Sequence, residues 1–211
     1  MLSKLQHYVE GFFASSSGLF HSAGFSPNSV TALGFLCVLA ASVLYGLGIG
    51  STTLWAGTVF FLSLAGFFDA LDGAMARRYQ IVSKAGGVLD SVLDRLGEIL
   101  IYAGLAFGGL TSFQVSLWAL SASLMVSYIR ARVEVEGFSL KGIGIAERPE
   151  RLLTILVATV IYPFWKDAIY LGTLLVAVLA SLTVFERLYW SWKVLKTRKS
   201  SEARSVSLLE T

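Results

Sequence analysis

The sequence predicts an all-α, polytopic membrane protein with six transmembrane helices and an N-terminal amphipathic helix at the membrane interface. Of its 211 residues, 55% are hydrophobic and only 15% are charged, whereas soluble domains average about 25% charged residues. The apolar residues form long runs, and about 20 such residues let a helix span the hydrocarbon core. No linker-like segment divides the chain, so residues 1–211 are predicted to form a single domain.

The predicted elements follow one another along the whole chain. In residues 1–22, apolar positions recur at helical spacing among charged residues and serines, which is typical of a helix lying in the membrane interface. Beyond the spans, residues 196–211 form a polar tail that we expect to fray. The six apolar segments between these ends are predicted spans, at 29–48, 53–78, 86–108, 112–134, 147–164 and 168–192.

The basic residues are distributed unequally between the two ends of the predicted spans. The loops at 46–52 and 108–112 contain none and the loop at 163–167 contains only Lys166, so sixteen of the seventeen Lys and Arg lie on the other side or in the tails. By the positive-inside tendency, the protein is a multi-pass cell-membrane protein whose two termini face the cytoplasm. A net charge of +3 along one membrane face does not form a groove-tracking stripe, so nucleic-acid binding is not expected.

Four aspartates occupy positions that are costly in a membrane protein. Asp69 and Asp72 end the second predicted span, while Asp90 and Asp94 begin the third. Their spacings place each pair on one helix face, and the short basic loop between the helices lets all four carboxylates converge on the cytoplasmic side. Taken alone, such carboxylates could also form a structural network or a proton relay. Mg²⁺ or Mn²⁺ would relieve their repulsion, because these hard cations take oxygen ligands.

The segment from Asp69 to Asp94 reads D-x2-D-G-x2-A-R-x8-G-x3-D-x3-D. This pattern resembles in full the motif of the CDP-alcohol phosphatidyltransferases, a family of integral membrane enzymes with six helices. A second segment, P-N-S-V-T-A-L-G at residues 27–34, resembles the element that this family carries before its first span. The resemblance extends from about Pro27 to Arg187, which is nearly the whole chain.

The resemblance implies an activity and a role for each motif residue. The family transfers a phosphatidyl group from a CDP-linked lipid to an alcohol and releases CMP. Asp69, Asp72 and Asp90 would hold two Mg²⁺ ions, with Mn²⁺ as the alternative. Asp94 would contact the second ion and act as the general base for the acceptor hydroxyl. The family also suggests a homodimer. The implied CDP-lipid contacts are Asn28, Thr31, Gly73, Arg77 and Ser83.

Two further cytoplasmic segments, at 127–134 and 142–151, resemble one branch of the family. That branch makes phosphatidylinositol phosphate, or its archaeal ether-lipid counterpart, from inositol 1-phosphate, whose phosphate is held in a basic pocket. Arg130 stands where a lysine is expected, which favours bidentate phosphate contact. The matching pocket residues would be Ser127, Arg130, Arg132, either Arg148 or Arg151, and Arg187.

Other functions compete with this interpretation. Glycerol 3-phosphate is the alternative acceptor, because it also carries a phosphate. The arginines could instead be positive-inside anchors that only orient the protein. A cation transporter using the aspartates belongs to a different class, but the second half of the chain lacks the corresponding carboxylate or interrupted helix that inverted repeats would favour.

Overall fold

The computed structural model describes residue 13, residues 15–140 and residues 142–209, with side chains described up to residue 196. Within these ranges every regular element is a helix. Helical residues 15–22 form α1, and most of the predicted interfacial helix lies outside the described residues. The six helices that follow are α2 (Pro27–Gly46), α3 (Thr52–Arg78), α4 (Lys84–Phe107), α5 (Phe113–Val135), α6 (Arg148–Ile161) and α7 (Ala168–Leu209).

Four of these helices begin immediately after a serine. The hydroxyls of Ser26, Ser51, Ser83 and Ser112 each accept a hydrogen bond from the backbone N–H three residues later, at 3.0 to 3.3 Å. Such caps satisfy an N–H group that has no partner within the helix. The caps fix where α2, α3, α4 and α5 begin, and two of these starts, α2 and α4, carry predicted site residues.

Helix lengths agree with the predicted spans for α2 to α5, whereas α6 ends at Ile161, three residues before the predicted span ends, and α7 is longer than predicted. The three segments Pro27–Gly46, Thr52–Arg78 and Ala168–Lys196 are long and apolar enough to cross a membrane. Through the tail that the sequence predicts to fray, α7 continues as a helix to Leu209. Eight of the fourteen residues 196–209 are Lys, Arg, Leu, Glu or Ala, which favour helix, so the polar tail extends the helix beyond its apolar part.

The closest packing brings α2 against α3 and α4. A Cβ atom added to Gly104 of α4 would lie 2.4 Å from the Ser42 carbonyl oxygen, and one added to Gly108, which caps the end of α4, would lie 1.8 Å from that of Tyr45. The Ser42 hydroxyl donates to the backbone carbonyl of Leu100. Because α2 and α4 approach backbone to backbone, the start of α2 has a fixed position relative to the aspartates of α4.

The other helices join this unit at two places, because α5 packs on α4 and α6 packs on α3. α6 packs on α3 and α7, and α7 packs on α5. Near the end of α6, the Thr159 carbonyl accepts a hydrogen bond from Trp55 Nε1 at 2.7 Å, and its hydroxyl lies 2.5 Å from that of Tyr45. These contacts tie α6 to α2 and α3 at the end of the bundle away from the aspartates.

Candidate active site

The structure brings the two aspartate pairs together where α3 ends and α4 begins. Carboxylate oxygens of Asp69, Asp90 and Asp94 lie within 4.8 Å of one another. Asp72 is buried, and its Oδ2 accepts a 2.6 Å hydrogen bond from the hydroxyl of Thr31. Thr31 belongs to the second motif, near the start of α2. The two sequence motifs therefore meet at one carboxylate cluster, formed by Asp69, Asp72, Asp90 and Asp94.

The carboxylate cluster has the chemistry of a divalent-metal centre. Oδ1 of Asp90 is buried and has no hydrogen-bond partner among the described residues. Leaving a carboxylate oxygen buried without a partner is unfavourable. A hard cation that takes oxygen ligands would satisfy it, and the three clustered carboxylates offer only such ligands.

Two arginines of the protein itself contact the carboxylate cluster, and Nη1 of Arg95 lies 3.7 Å from Asp94 Oδ2. Arg148, the first residue of α6, donates from Nη1 to Asp69 Oδ1 and from Nη2 to Asp94 Oδ1, the latter at 2.8 Å. The guanidinium therefore joins α6 to both α3 and α4. The sequence predicts Arg148 or Arg151 as a phosphate ligand, and the structure places Arg148 at the carboxylates, on the border of a larger cavity described below.

A first cavity, the α2–α4 cleft, opens beside Asp72 and Asp90. The predicted CDP-lipid contacts Asn28, Thr31, Gly73 and Ser83 all line it. Arg77 lies at its edge, since its Nη1 is 3.2 Å from where a Cβ atom on Gly73 would stand. A side chain at Gly73 would therefore press against the Arg77 guanidinium. The structure brings all five predicted contacts to this one cleft.

A second cavity, the arginine cavity, opens between α4, α5, α6 and α7 and has a volume of about 780 Å³. Asp90 and Asp94 line it together with predicted acceptor residues on the other helices. Those predicted residues are Ser127, Arg130, Arg148, Arg151 and Arg187. Arg132 is not among the lining residues. It is two residues from Arg130, so it points away, and its Nη1 pairs with Glu136 at 2.6 Å on an exposed face.

Two of the cavity arginines, Arg187 and Arg151, use most of their guanidinium N–H groups in hydrogen bonds within the protein. Arg187 donates to the carbonyls of Val126 and Ile143 and to Glu147 Oε1, at 2.8, 2.8 and 2.9 Å. Arg187 lines the arginine cavity, and its Nη1 and Nη2 each carry a second N–H. The partner that a deep arginine requires is therefore Glu147, which precedes α6.

Arg151 likewise bonds through all three of its nitrogens, and its partner is a residue that sequence reasoning missed. Its guanidinium donates to Glu98 Oε1 from both Nε and Nη2, and Nη1 donates to the Ala146 carbonyl at 2.8 Å. Glu98 follows Asp94 by four residues on α4, in an otherwise apolar stretch. That spacing places it on the helix face of the aspartates and could have identified it.

Sequence and structure comparisons agree with this geometry. A model of the CDP-alcohol phosphatidyltransferase family matches residues 25–191. The archaetidylinositol phosphate synthase of Pyrococcus horikoshii is 40% identical over 196 residues, which cover 93% of this chain and 99% of that protein. The crystal structure of Mycobacterium tuberculosis phosphatidylinositol phosphate synthase with CDP-DAG bound superposes with a TM-score of 0.74 at 29% identity, covering 85% of this chain and 93% of that one. A structure of the same mycobacterial enzyme with manganese and citrate gives a TM-score of 0.74 at 30% identity, with coverages of 85% and 88%.

Proposed function

The chain belongs to the CDP-alcohol phosphatidyltransferase family, and we propose that it transfers the phosphatidyl or archaetidyl group of a CDP-linked lipid to inositol 1-phosphate, releasing CMP. This reaction would serve phospholipid biosynthesis. One observation carries the proposal: Asp90 of the carboxylate cluster lines both the α2–α4 cleft and the arginine cavity. The cleft is made by the motif residues of the family, and the cavity offers cations for a second, phosphorylated substrate.

The charge of the arginine cavity supports a phosphorylated acceptor. A phosphate monoester carries nearly two negative charges at neutral pH, and Arg130 and Arg148 both line the cavity. Inositol or serine, which lack a phosphate, would not require these cations. Glycerol 3-phosphate would satisfy them equally well, and the similarity to the Pyrococcus horikoshii archaetidylinositol phosphate synthase favours inositol 1-phosphate over it.

In the proposed mechanism, the acceptor hydroxyl attacks the lipid-bearing phosphorus of the CDP-lipid. Asp94 lines the arginine cavity beside Arg148, so it is placed to take the hydroxyl proton as the new O–P bond forms. The P–O bond to CMP breaks, and CMP leaves with the bonding electrons. Asn28, Thr31, Gly73, Arg77 and Ser83 hold and orient the CDP group, while Ser127, Arg130, Arg148 and Arg187 hold the acceptor phosphate.

Two Mg²⁺ ions, or Mn²⁺ in their place, would be held by Asp69, Asp72 and Asp90. Asp94 would contact the second ion. When bound, these cations would supply positive charge that neutralises the diphosphate and stabilises the charge that develops during transfer. The manganese complex of the mycobacterial relative supports a divalent metal here. The protein residues supply the oxygen ligands and fix their spacing.

The proposal places the enzyme in the cell membrane with six spans, and with the carboxylate cluster and both termini at the cytoplasmic face. α4 and α5 have 24 and 23 residues, enough to cross the core as helices. α6 has only 14 residues, roughly 21 Å at about 1.5 Å per residue, so Tyr162 and the residues after it would complete that span. On the basis of the family resemblance, we also propose that the protein forms a homodimer in the bilayer.

The direct test measures CMP release by the purified protein in liposomes containing CDP-diacylglycerol or CDP-archaeol. Inositol 1-phosphate should give the highest kcat/KM, while inositol and serine should give almost none. Efficient turnover with glycerol 3-phosphate instead would establish the alternative acceptor. Absence of CMP release with every acceptor would contradict the enzyme assignment and favour the cation-transport alternative.

Arg130 and Arg132 provide a matched pair for testing the acceptor site. Arg130→Ala should raise the acceptor KM about 10–150-fold, because charge-assisted bonds to phosphate are worth about 1.5–3 kcal/mol. Arg132→Ala should change it by less than about fivefold, as expected for an exposed ion pair. Steady-state kinetics with inositol 1-phosphate measures both, and the KM for CDP-lipid should stay constant. Equal effects of the two variants on the acceptor KM would contradict the assignment of the arginine cavity as the acceptor site.

A further inference from the structure

Two ion pairs cross from α4 to α6, one helical turn apart. The first joins Asp94 to Arg148, with Nη2 at 2.8 Å from Oδ1. The second joins Glu98 to Arg151, with Nε at 3.0 Å from Oε1 and Nη2 bonded to the same oxygen. Because both helices run away from the carboxylate cluster in the same direction, Glu98 and Arg151 lie one turn further along the bundle from the reacting groups.

The two pairs differ sharply in their environment. Arg148 and Asp94 retain 20% and 14% side-chain exposure and face the arginine cavity, whereas Arg151 and Glu98 retain only 2% and 4%. Nε of Arg148 is buried without a hydrogen-bond partner among the described residues. Arg151, in contrast, bonds through all three of its nitrogens. The Glu98–Arg151 pair is the more buried of the two, and its hydrogen-bonding groups are the more fully paired. It is therefore the pair able to fix the position of α6 relative to α4.

The spacing of α4 and α6 depends on side chains. α4 packs closely on α2 and α5, whereas α6 packs on α3 and α7, and α4 and α6 are not a closely packed pair. Arg151 also holds the Ala146 carbonyl, two residues before the first residue of α6. The Glu98–Arg151 pair thus connects α4 both to α6 and to the backbone that leads into it.

We infer that Glu98 and Arg151 are positioning residues, which set the distance between α4 and α6 and thereby hold the Arg148 guanidinium between Asp69 and Asp94. This role differs from a phosphate contact by Arg151. Its acceptor-binding consequence rests on the proposed function, whereas its effect on the carboxylate cluster does not. Removing the pair lets α6 shift and draws Arg148 away from the carboxylates. The acceptor phosphate then loses a cation, and the cluster loses an internal positive charge that opposes a divalent ion.

The test replaces the whole pair, as Glu98→Leu with Arg151→Met. Exchanging a buried ion pair for apolar side chains often leaves stability unchanged, whereas removing one partner strands a buried charge. Arg151→Lys is the second variant, because it keeps a cation opposite Glu98 but loses the two-pronged contact. Glu150→Gln is the matched control, since this exposed carboxylate is the immediate neighbour of Arg151 on α6.

The first measurement is Mn²⁺ binding to the protein without substrates, followed by electron paramagnetic resonance in detergent. The double variant should bind Mn²⁺ at least about fivefold more tightly, because a nearby positive charge has been withdrawn. Arg151→Lys should show a smaller shift in the same direction, and Glu150→Gln none. A pair that merely supported the fold would weaken Mn²⁺ binding when removed, so unchanged or weaker binding in both variants overturns the inference.

The second measurement is steady-state kinetics with inositol 1-phosphate. The acceptor KM of the double variant should rise at least about tenfold, the loss of one charge-assisted contact, while the KM for CDP-lipid stays constant. An unchanged acceptor KM in a protein that uses this substrate also overturns the inference. If the unaltered protein does not use inositol 1-phosphate, the proposed function fails, and the Mn²⁺ titration decides the positioning role by itself.

Discussion

Replacing Asp90 by asparagine should lower CMP formation by more than about a thousandfold, because metal ions supply several kcal/mol of transition-state stabilisation. Oδ1 of Asp90 is buried and has no hydrogen-bond partner in the part of the chain that the structure describes, and Asp90 lines both cavities. Asparagine preserves the shape of the side chain and removes its charge. CMP release and Mn²⁺ binding should therefore be lost together, while circular dichroism in detergent shows a folded helical protein.

Asp167→Asn is the control for this substitution, because Asp167 is exposed in the connection between α6 and α7, at the other end of the bundle. It should leave CMP release unchanged. Excess chelator should reproduce the effect of Asp90→Asn in the unaltered enzyme. Substantial turnover by Asp90→Asn, or by the unaltered enzyme in excess chelator, would contradict a metal-dependent mechanism at this cluster.

Asp94→Asn should lower kcat by at least about a hundredfold, the lower range for loss of a general base. The affinity of this variant for CDP-lipid should fall far less, because the carboxylates of Asp69, Asp72 and Asp90 still provide oxygen ligands for a metal ion. The asparagine oxygen can still accept a hydrogen bond from Arg148, so the contact between α4 and α6 is preserved. Single-turnover CMP release and equilibrium binding of CDP-lipid separate the two effects.

Asp69→Asn is the comparison for Asp94→Asn, since both residues bond to Arg148 and only Asp94 is assigned as the base. Asp69→Asn should weaken CDP-lipid binding and turnover together. If the two variants lose CDP-lipid binding to the same degree, Asp94 is chiefly a metal ligand, and another group must take the hydroxyl proton.

The bounds of α2 to α5 could be predicted closely because residues near each helix end determine where the helix begins and stops. The boundaries of α2 to α5 lie within two residues of the predicted spans, where apolar runs follow a serine that caps the helix. The end of α7 could not be predicted in this way. Hydropathy marks where a span leaves the membrane, whereas helix propensity decides how far the helix continues into water.

The candidate site could be predicted only in part. Spacing along α3 and α4 places each aspartate pair on one helix face, and in the structure carboxylate oxygens of Asp69, Asp90 and Asp94 lie within 4.8 Å of one another. The partners of the arginines depend instead on how distant helices pack. Arg132 and Arg151 are equivalent cations in the sequence, yet one is exposed beside Glu136 and the other is buried against Glu98. Only the tertiary arrangement separates a solvated arginine from a structural one.

The position of Asp90 at the junction of two cavities leads us to propose a sequential kinetic order for the reaction. The α2–α4 cleft and the arginine cavity share this one carboxylate, so with CDP-lipid in the first and the acceptor in the second we expect both substrates to be seated before any bond changes. A ternary complex of this kind needs no lipid-bearing enzyme intermediate. The phosphorus atom then undergoes a single displacement, which inverts its configuration, whereas transfer through a covalent intermediate would retain it.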